Sequence, residues 1–190
     1  MKVGVLALQG DFDAHRRRLE ELGAEVVLVR KPEQLDEIDG LVLPGGESST
    51  ILRLLGEKGF QKLGEFVRSK PAFGTCAGAI LLAAEVENPA QKGLGAMDIT
   101  VRRNAYGRQI DSTIITGPSL LGPEPLEQVY IRAPRIERTG PDVEVLAERD
   151  GHPVLVRQGK KMAATFHPEL SGDTRVHQEF LKLLQDGEGN

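Results

Sequence analysis

Apolar residues in the first half of the chain follow two alternating patterns. Short continuous apolar runs, as in 3–8, are typical of strands buried on both faces. Between them, apolar residues recur at helical spacing, as in the segment that ends at Gly23, with Asp11 and Asp13 available as caps. Strands are predicted at 3–8, 25–30, 41–43 and 72–73, and further helices at 48–55, 60–69 and 77–85. This alternation predicts an α/β fold with a mostly parallel central sheet covered by helices on both faces.

The second half of the chain predicts an antiparallel portion added to that sheet. Its apolar runs are joined at hairpin-like spacing by turns rich in glycine and proline. Strands are predicted at 99–103, 109–115, 128–131, 143–148, 153–157 and 162–166. A final helix is predicted at 174–184, and the polar tail 185–190 is expected to fray. No repeat or linker interrupts the chain, so a single domain over 1–190 is predicted.

Composition excludes several functional classes. The 190 residues are 39% hydrophobic with a formal net charge of −4, and the basic residues are interspersed with acidic ones. A nucleic-acid-binding protein would usually carry a basic stripe or patch, which is not seen here. The apolar N-terminal stretch is too short for a signal peptide or a membrane span. A cytoplasmic protein that binds neither nucleic acid nor membrane is predicted.

The single cysteine, Cys76, lies in the sequence Gly74-Thr75-Cys76-Ala77-Gly78 between a predicted strand and a predicted helix. A lone cysteine is either a small buried apolar residue or a reactive thiol. This pattern is the cysteine version of the Gly-x-nucleophile-x-Gly elbow, in which glycines relieve crowding at a sharp turn. The helix that follows directs its positive end at the sulfur and favours the thiolate. The placement therefore favours a nucleophile.

His167 is the candidate base for that nucleophile. The other three histidines, His15, His152 and His177, lie in helices or a turn and are interpreted as structural. His167 ends a predicted strand and precedes Pro168, which favours an extended conformation. In an extended segment the side chains at i and i+2 project to one side, so Glu169 could orient the imidazole as the third member of a triad. The alternative is a histidine at a strand end that makes an ordinary turn contact.

A third element is the segment Pro44-Gly45-Gly46-Glu47-Ser48, at the junction of a strand and a helix. Its bare backbone could donate N–H groups to an oxyanion, and Ser48 could also cap the helix. Gln9, the two glycines, Cys76 and His167 all follow predicted strands, and open α/β sheets bind ligands at those carboxyl ends. No metal-ligand spacing and no nucleotide-binding glycine motif is found, so neither a metal nor a cofactor is predicted.

With these residues, the chain resembles the class I, triad-type glutamine amidotransferases. More narrowly, it is similar to the glutaminase subunits of pyridoxal 5′-phosphate synthases. The resemblance runs from the first strand to the last. It is carried by Gly4-Val-Leu-Ala-Leu-Gln-Gly10, Leu43-Pro-Gly-Gly-Glu-Ser-Ser-Thr50, Phe73-Gly-Thr-Cys-Ala-Gly78, Arg103-Asn-Ala-Tyr-Gly-Arg-Gln109, Ile131-Arg-Ala-Pro134 and Phe166-His-Pro-Glu-Leu170. The stretches that begin at Arg103 and Ile131 indicate the vitamin B6 branch.

The resemblance implies a flavodoxin-like fold and hydrolysis of L-glutamine to glutamate and ammonia. It implies a triad of Cys76, His167 and Glu169 and an oxyanion site formed by backbone N–H groups of Gly46 and Ala77, with Gln9 organising that region. It assigns glutamine binding to Gly46, Glu47, Ser48, Arg103, Ile131 and Arg132. Either arginine suits the substrate α-carboxylate. The implied partner is a separate (β/α)₈ synthase subunit that consumes the ammonia.

Three other interpretations stay open at this point. The chain could be the glutaminase subunit of another amidotransferase, such as the one that serves imidazole glycerol phosphate synthesis. It could be a cysteine hydrolase of the stress-protein or peptidase type on a similar sheet. It could also be a catalytically silent binding or scaffolding subunit, although an intact set of Cys76, His167 and Glu169 argues against this.

Overall fold

The predicted alternation of strands and helices forms the first half of the molecule. A computed structural model describes residues 1–105 and 112–186. Its first seven main elements are β1 (Lys2–Leu6), α1 (Phe12–Glu21), β2 (Glu25–Val29), β3 (Gly40–Leu43), α2 (Ser48–Ser69), β4 (Ala72–Thr75) and α3 (Ala77–Leu82). A 3₁₀ helix, Pro32–Glu37, precedes β3. None of the described helices is long and apolar enough to cross a membrane.

Strands dominate the second half, as the hairpin-like spacing predicts. They are β5 (Ala83–Glu87), β6 (Met97–Arg102), β7 (Thr113–Ser119), β8 (Gly122–Tyr130), β9 (Arg135–Thr139), β10 (Glu144–Arg149), β11 (His152–Gln158) and β12 (Lys161–Ala164). A 3₁₀ turn, Pro168–Leu170, and the helix α4 (Arg175–Gln185) complete the described chain. The predicted strand residues 109–111 and the tail residues 187–190 lie outside the described residues.

The strands form one nine-stranded sheet and one three-stranded sheet. The large sheet has the order β2-β1-β3-β4-β12-β11-β10-β7-β8, and the small one β5-β6-β9. The first five strands of the large sheet run parallel, and the remaining pairings in it are antiparallel. The predicted α/β class, with an antiparallel portion from the C-terminal half, is therefore confirmed. The parallel part reverses its winding at β1 and β3, where such sheets bind ligands at the carboxyl ends.

Two apolar layers cover the two faces of the sheet. In β3, Leu41 and Leu43 pack into one layer and Val42 into the other, as the two-residue period of a strand requires. Buried residues of α2 and α3 belong to the first layer, and those of α1 and α4 to the second. Because both faces are covered, the strands of the parallel part read as continuous apolar runs.

Several boundaries differ from the predictions. The helix predicted at 77–85 ends at Leu82, and Ala83–Glu87 forms β5 beside β6. The helices predicted at 48–55 and 60–69 lie within one element, α2, that breaks at Gly56 (φ 64°, ψ −176°). Neither β5 nor β9 was predicted. Both strands pair with β6, which is distant from them in sequence, and local sequence patterns do not indicate such pairing.

Candidate active site

The four segments that follow β1, β3, β4 and β12 meet at the carboxyl edge of the parallel sheet. Gly45 lies so close to the other segments that a Cβ there would overlap His167 Cε1 and lie 3.4 Å from Cys76 Cβ. The segments border a cavity of about 330 Å³, within the range of small-molecule sites. The convergence that the strand ends predict is thus present in the folded chain.

Cys76 occupies a sharp turn between β4 and α3. Its backbone has φ 50° and ψ −104°, a region that residues with side chains rarely adopt. The turn is held by the Cys76 N–H, which donates to the Ala164 carbonyl of the neighbouring strand at 2.8 Å. Gly78 is required by close packing, since a Cβ at that position would overlap the Leu43 carbonyl. The strained backbone and tight glycine contacts are those of a nucleophile elbow.

His167 is held between the cysteine and a carboxylate. Its Nδ1 lies 2.6 Å from Glu169 Oε1, and its ring is hydrogen-bonded to the Cys76 side chain. Burial alone would lower the pKa of His167, but the hydrogen bonds and negative charges of Cys76 and Glu169 outweigh it and raise that pKa to about 10. The site therefore favours a protonated imidazole beside the Cys76 sulfur.

The contact between His167 and Glu169 arises in a different way from the one predicted. Pro168, Glu169 and Leu170 form a 3₁₀ turn rather than an extended segment, and the turn folds the carboxylate back onto the imidazole. Glu169 is 2% exposed, and desolvation raises its pKa although the bond to His167 works in the opposite direction. The pairing of the two residues was correct, and the backbone geometry inferred for it was wrong.

A second carboxylate, Asp11, also faces His167. Its Oδ2 lies 3.6 Å from Nδ1, and its side chain makes no cap bond to α1, contrary to the predicted cap role. Asp11, His167 and Glu169 bring potential metal ligand atoms within 4.8 Å of one another. Both carboxylates face the same ring nitrogen, however, so the arrangement suits an imidazolium N–H rather than a bare nitrogen bound to a cation.

The backbone of the glycine segment is fixed by two contacts with the segment that follows β1. The Gly45 carbonyl accepts from the Asp11 N–H at 3.1 Å, and the Glu47 N–H donates to Gln9 Oε1 at 2.8 Å. Because a peptide unit is planar and trans, the first contact also sets the direction of the Gly46 N–H. Ala77 is the first residue of α3, so its N–H has no acceptor within that helix.

The cavity brings together all six residues predicted to bind the substrate. One wall carries Glu47 and Arg103, whose carboxylate and guanidinium are 3.3 Å apart. The lining includes the predicted residues Gln9, Gly46, Glu47, Ser48, Cys76, Arg103, Ile131, Arg132 and His167. Ser48 is the first helical residue of α2 rather than its N-cap, and its hydroxyl donates to Gln91 Oε1 at 3.1 Å. Residues 106–109 of the Arg103 motif lie outside the described residues.

Sequence reasoning missed several residues at the site. The cavity is also lined by Asp11, Ile80, Asn104 and Pro134. Asn104 and Pro134 lie inside motifs that carry the family resemblance, and Asp11 lies two residues after Gln9. Proximity in sequence could therefore have indicated these three residues. His15 and His177 are fully buried, with His15 beside Glu169 and His177 beside His15, and no signal along the chain places them there.

Comparison with known proteins agrees with this geometry. Residues 5–186 match the SNO glutamine amidotransferase family. The pyridoxal 5′-phosphate synthase subunit PdxT of Koribacter versatilis is 72% identical over 187 residues, covering 98% of this chain and 97% of the relative. The protein of the same name from Solibacter usitatus is 55% identical, covering 96% and 99%. A crystal structure of a glutamine amidotransferase superposes with a TM-score of 0.89 at 47% identity, covering 96% of this chain and 98% of that one. The chain belongs to the SNO glutamine amidotransferase family.

Proposed function

We propose that this chain is the glutaminase subunit of a pyridoxal 5′-phosphate synthase. In this role it hydrolyses L-glutamine to glutamate and ammonia and passes the ammonia to a (β/α)₈ synthase subunit. The observation that carries the chemistry is the set Cys76, His167 and Glu169 beside a polar cavity at the carboxyl edge of the sheet. The relatives named above support the assignment of the partner.

The resting site holds a nucleophile and an acid in one hydrogen-bonded pair. A raised pKa keeps His167 protonated at neutral pH, so the proton that Cys76 gives up is stored on the imidazole. Glu169 accepts from Nδ1–H and stabilises the resulting positive charge. The other ring nitrogen of His167, Nε2, exchanges protons with the reactants in the proposed cycle.

In the first half-reaction, the Cys76 thiolate attacks the side-chain amide carbon of glutamine and forms a C–S bond. The carbonyl oxygen becomes an oxyanion, and in the proposed cycle it accepts hydrogen bonds from the backbone N–H groups of Gly46 and Ala77. His167 then transfers its proton to the amide nitrogen, the C–N bond breaks, and ammonia leaves. The product is a γ-glutamyl thioester on Cys76.

In the second half-reaction, water attacks the thioester carbon. His167, now neutral, accepts a proton from that water, and the same backbone N–H groups stabilise the second oxyanion. The C–S bond breaks, glutamate leaves, and the thiolate and imidazolium are restored. Each proton that His167 donates in the first half-reaction is recovered in the second, so the cycle is balanced.

The charges around the cavity suit the free amino acid as substrate. Glutamine carries an α-carboxylate and an α-ammonium group, and the cavity offers Arg103 and Arg132 for the first and Glu47 for the second. Arg103 is already held by Glu47, so its guanidinium is oriented before the substrate arrives. Ser48 and Ile131 complete the proposed binding set. A peptide lacks one or both of the charged α-groups, which disfavours the peptidase alternative.

The proposed working state is a cytoplasmic complex with the synthase subunit, with residues 1–190 acting as one amidotransferase domain. Ammonia in water is protonated and diluted, so a glutaminase that feeds a synthase benefits from direct transfer. A glutaminase serving imidazole glycerol phosphate synthesis would share the triad but would require a different barrel. The family match and the names of the relatives favour the vitamin B6 branch.

The test is ammonia release from glutamine by the purified chain with either of two barrels. One is a pyridoxal 5′-phosphate synthase barrel from a close relative, and the other is an imidazole glycerol phosphate synthase barrel. We expect glutaminase activity and pyridoxal 5′-phosphate formation only with the first. Activity with the second alone would reassign the branch, and activity with neither, in a chain that folds and binds, would refute the proposed function.

A further inference from the structure

A buried pair of histidines lies directly behind the triad carboxylate. His15, in the middle of α1, and His177, in α4, are both fully buried. His15 Nδ1 lies 2.9 Å from His177 Nε2. On its other side, His15 Nε2 lies 3.0 Å from Thr75 Oγ1 and 3.4 Å from Glu169 Oε2. The proposed cycle uses neither histidine.

Both imidazoles are neutral, so each carries one ring proton. Burial, together with the repulsion that protonated imidazoles at His15, His177 and His167 would exert on one another, lowers the pKa of His15 well below its ordinary value. Burial, together with the charge of Arg18, lowers the pKa of His177 to about 3. Two neutral rings joined by one hydrogen bond allow only two arrangements of their protons.

The two arrangements differ in what they leave buried without a partner. Glu169 Oε2 and His177 Nδ1 have no hydrogen-bond partner among the described residues. If His15 Nδ1–H donated to His177, a His177 Nδ1–H would be buried without an acceptor, and a His15 Nε2 lone pair would face the Glu169 carboxylate. If His177 Nε2–H donates to His15 Nδ1, the unpartnered atom of His177 is a bare nitrogen, and His15 presents Nε2–H to both Thr75 and Glu169. The second arrangement avoids a buried orphan donor and a repulsive contact.

We propose that His15 is a positioning residue for catalysis, which holds the outer oxygen of the Glu169 carboxylate through its Nε2–H while His177 fixes its tautomer. Glu169 then lies between two imidazoles: Oε1 is hydrogen-bonded to His167, and Oε2 is 3.4 Å from His15 Nε2. The 3.4 Å separation is long for a hydrogen bond, since the N–H is shared with Thr75; such contacts often tighten as charge develops. His15 touches neither the substrate nor Cys76 and acts through Glu169.

This inference rests on the proposed role of Glu169, and its test separates the two. Turnover is measured with the synthase barrel present for His15→Leu, Glu169→Gln and the double variant. We expect His15→Leu to lower kcat about tenfold with KM within about twofold, the effect of losing one hydrogen bond to a charged group. In the Glu169→Gln background, the same substitution should change kcat less than threefold, because the carboxylate through which it acts is gone.

Two further variants separate positioning from packing. The side-chain amide nitrogen of glutamine is separated from Cα by the same number of bonds as Nε2 of histidine. The amide nitrogen of asparagine is one bond closer to Cα, at the same separation as Nδ1 of histidine. His15→Gln should therefore retain most of kcat and His15→Asn should not, although both are buried polar residues. Leu63→Ala opens a cavity in the apolar layer on the other face of the sheet, so it should lower the melting temperature and leave kcat unchanged.

The outcomes are distinguishable. The positioning role would be overturned if His15→Leu lowered kcat equally in both backgrounds. It would also be overturned by equal kcat for His15→Gln and His15→Asn, or by a change in KM alone. If His15→Leu does not fold, the comparison of the glutamine and asparagine variants decides. Full activity of Glu169→Gln itself would refute the triad instead.

Discussion

His167 Nδ1 and Glu169 Oε1 are 2.6 Å apart. Only Pro168 separates the two residues, and the 3₁₀ turn that begins at Pro168 folds the carboxylate back onto the imidazole. The short turn thus places the candidate base and its candidate orienting carboxylate side by side. Cys76 reaches the same imidazole from the turn after β4. The site is assembled by two local motifs that the sheet brings together.

Replacing Cys76 by alanine should abolish glutaminase activity and leave the fold and binding to the barrel intact. The substitution removes one sulfur atom and keeps a Cβ at a backbone position that Cys76 already occupies at φ 50°. Ammonia release measures the loss, and circular dichroism and co-purification with the barrel provide the controls. Retention of a tenth of wild-type turnover would contradict the assignment.

Because Cys76 is the only cysteine in the sequence, a glutamine-analogue electrophile should label wild type once and the variant not at all.

Glu169→Gln should slow turnover about a hundredfold or more without eliminating it, because the carboxylate orients the imidazolium but forms no covalent bond. Thioester formation should remain detectable by rapid quenching and mass spectrometry, with slower kinetics. Glu144→Gln is a suitable control, since Glu144 makes an exposed ion pair with Arg157, which pairs with Met162 near the start of β12, at the opposite end of that strand from His167. An enzyme with Glu169→Gln as fast as wild type would exclude this residue from the triad.

The stability of the chain should fall between about pH 6.5 and pH 10. Folded His167 has its pKa raised from 6.5 to about 10, so the imidazolium contributes stability that is fully present below pH 6.5 and lost as pH rises through about 10. Cys76→Ala removes one of the two groups that raise this pKa, so the alkaline end of the window should move to lower pH. Urea unfolding across this range, for both proteins, measures the shift. Identical pH profiles would show that Cys76 does not stabilise the imidazolium.

Gly45→Ala should lower kcat by about a hundredfold or more. An added Cβ would overlap His167 Cε1 and lie 3.0 Å from Nδ1, so the imidazole would have to move, and a displacement of about 1 Å is enough for such a loss. Gly172→Ala is the matched control, because a Cβ there meets nothing within 4 Å. Steady-state rates of both variants test the prediction. A Gly45→Ala enzyme as active as the control would show that the contact is not restrictive.

The free subunit should be nearly idle and should be activated by the barrel. The Gly45 carbonyl is tied to the Asp11 N–H, which sets the direction of the Gly46 N–H, and a peptide flip at two glycines has little steric cost. One missing oxyanion donor lowers the rate by about 10²–10³. Gln9, Gly10 and α1 are the expected sensors of the partner. Ammonia release at saturating glutamine, before and after the barrel is added, measures the activation; equal rates would exclude the switch.

Local sequence was sufficient where a pattern and its physical cause lie within a few residues. The apolar runs predicted the strands of the parallel part, and the glycines around Cys76 predicted its turn. The helix predicted at 77–85 ends early, at Leu82, because Ala83–Glu87 contains good helix formers that pair with β6 instead. Pairing with β6 outweighed this weak preference for helix, and the sequence of the segment alone does not reveal that pairing.

The sequence by itself determined the candidate nucleophile, its candidate base and the edge of the sheet where they meet, because strand ends and motifs are local and parallel strands end together. Only the tertiary structure decided what lies behind them. His15 and His177 are 162 positions apart, and each occupies a helix position that reads as ordinary core. Their contact, and the approach of His15 to Glu169, exist because α1 and α4 pack on the same face of the sheet. That packing is a long-range property of the whole chain.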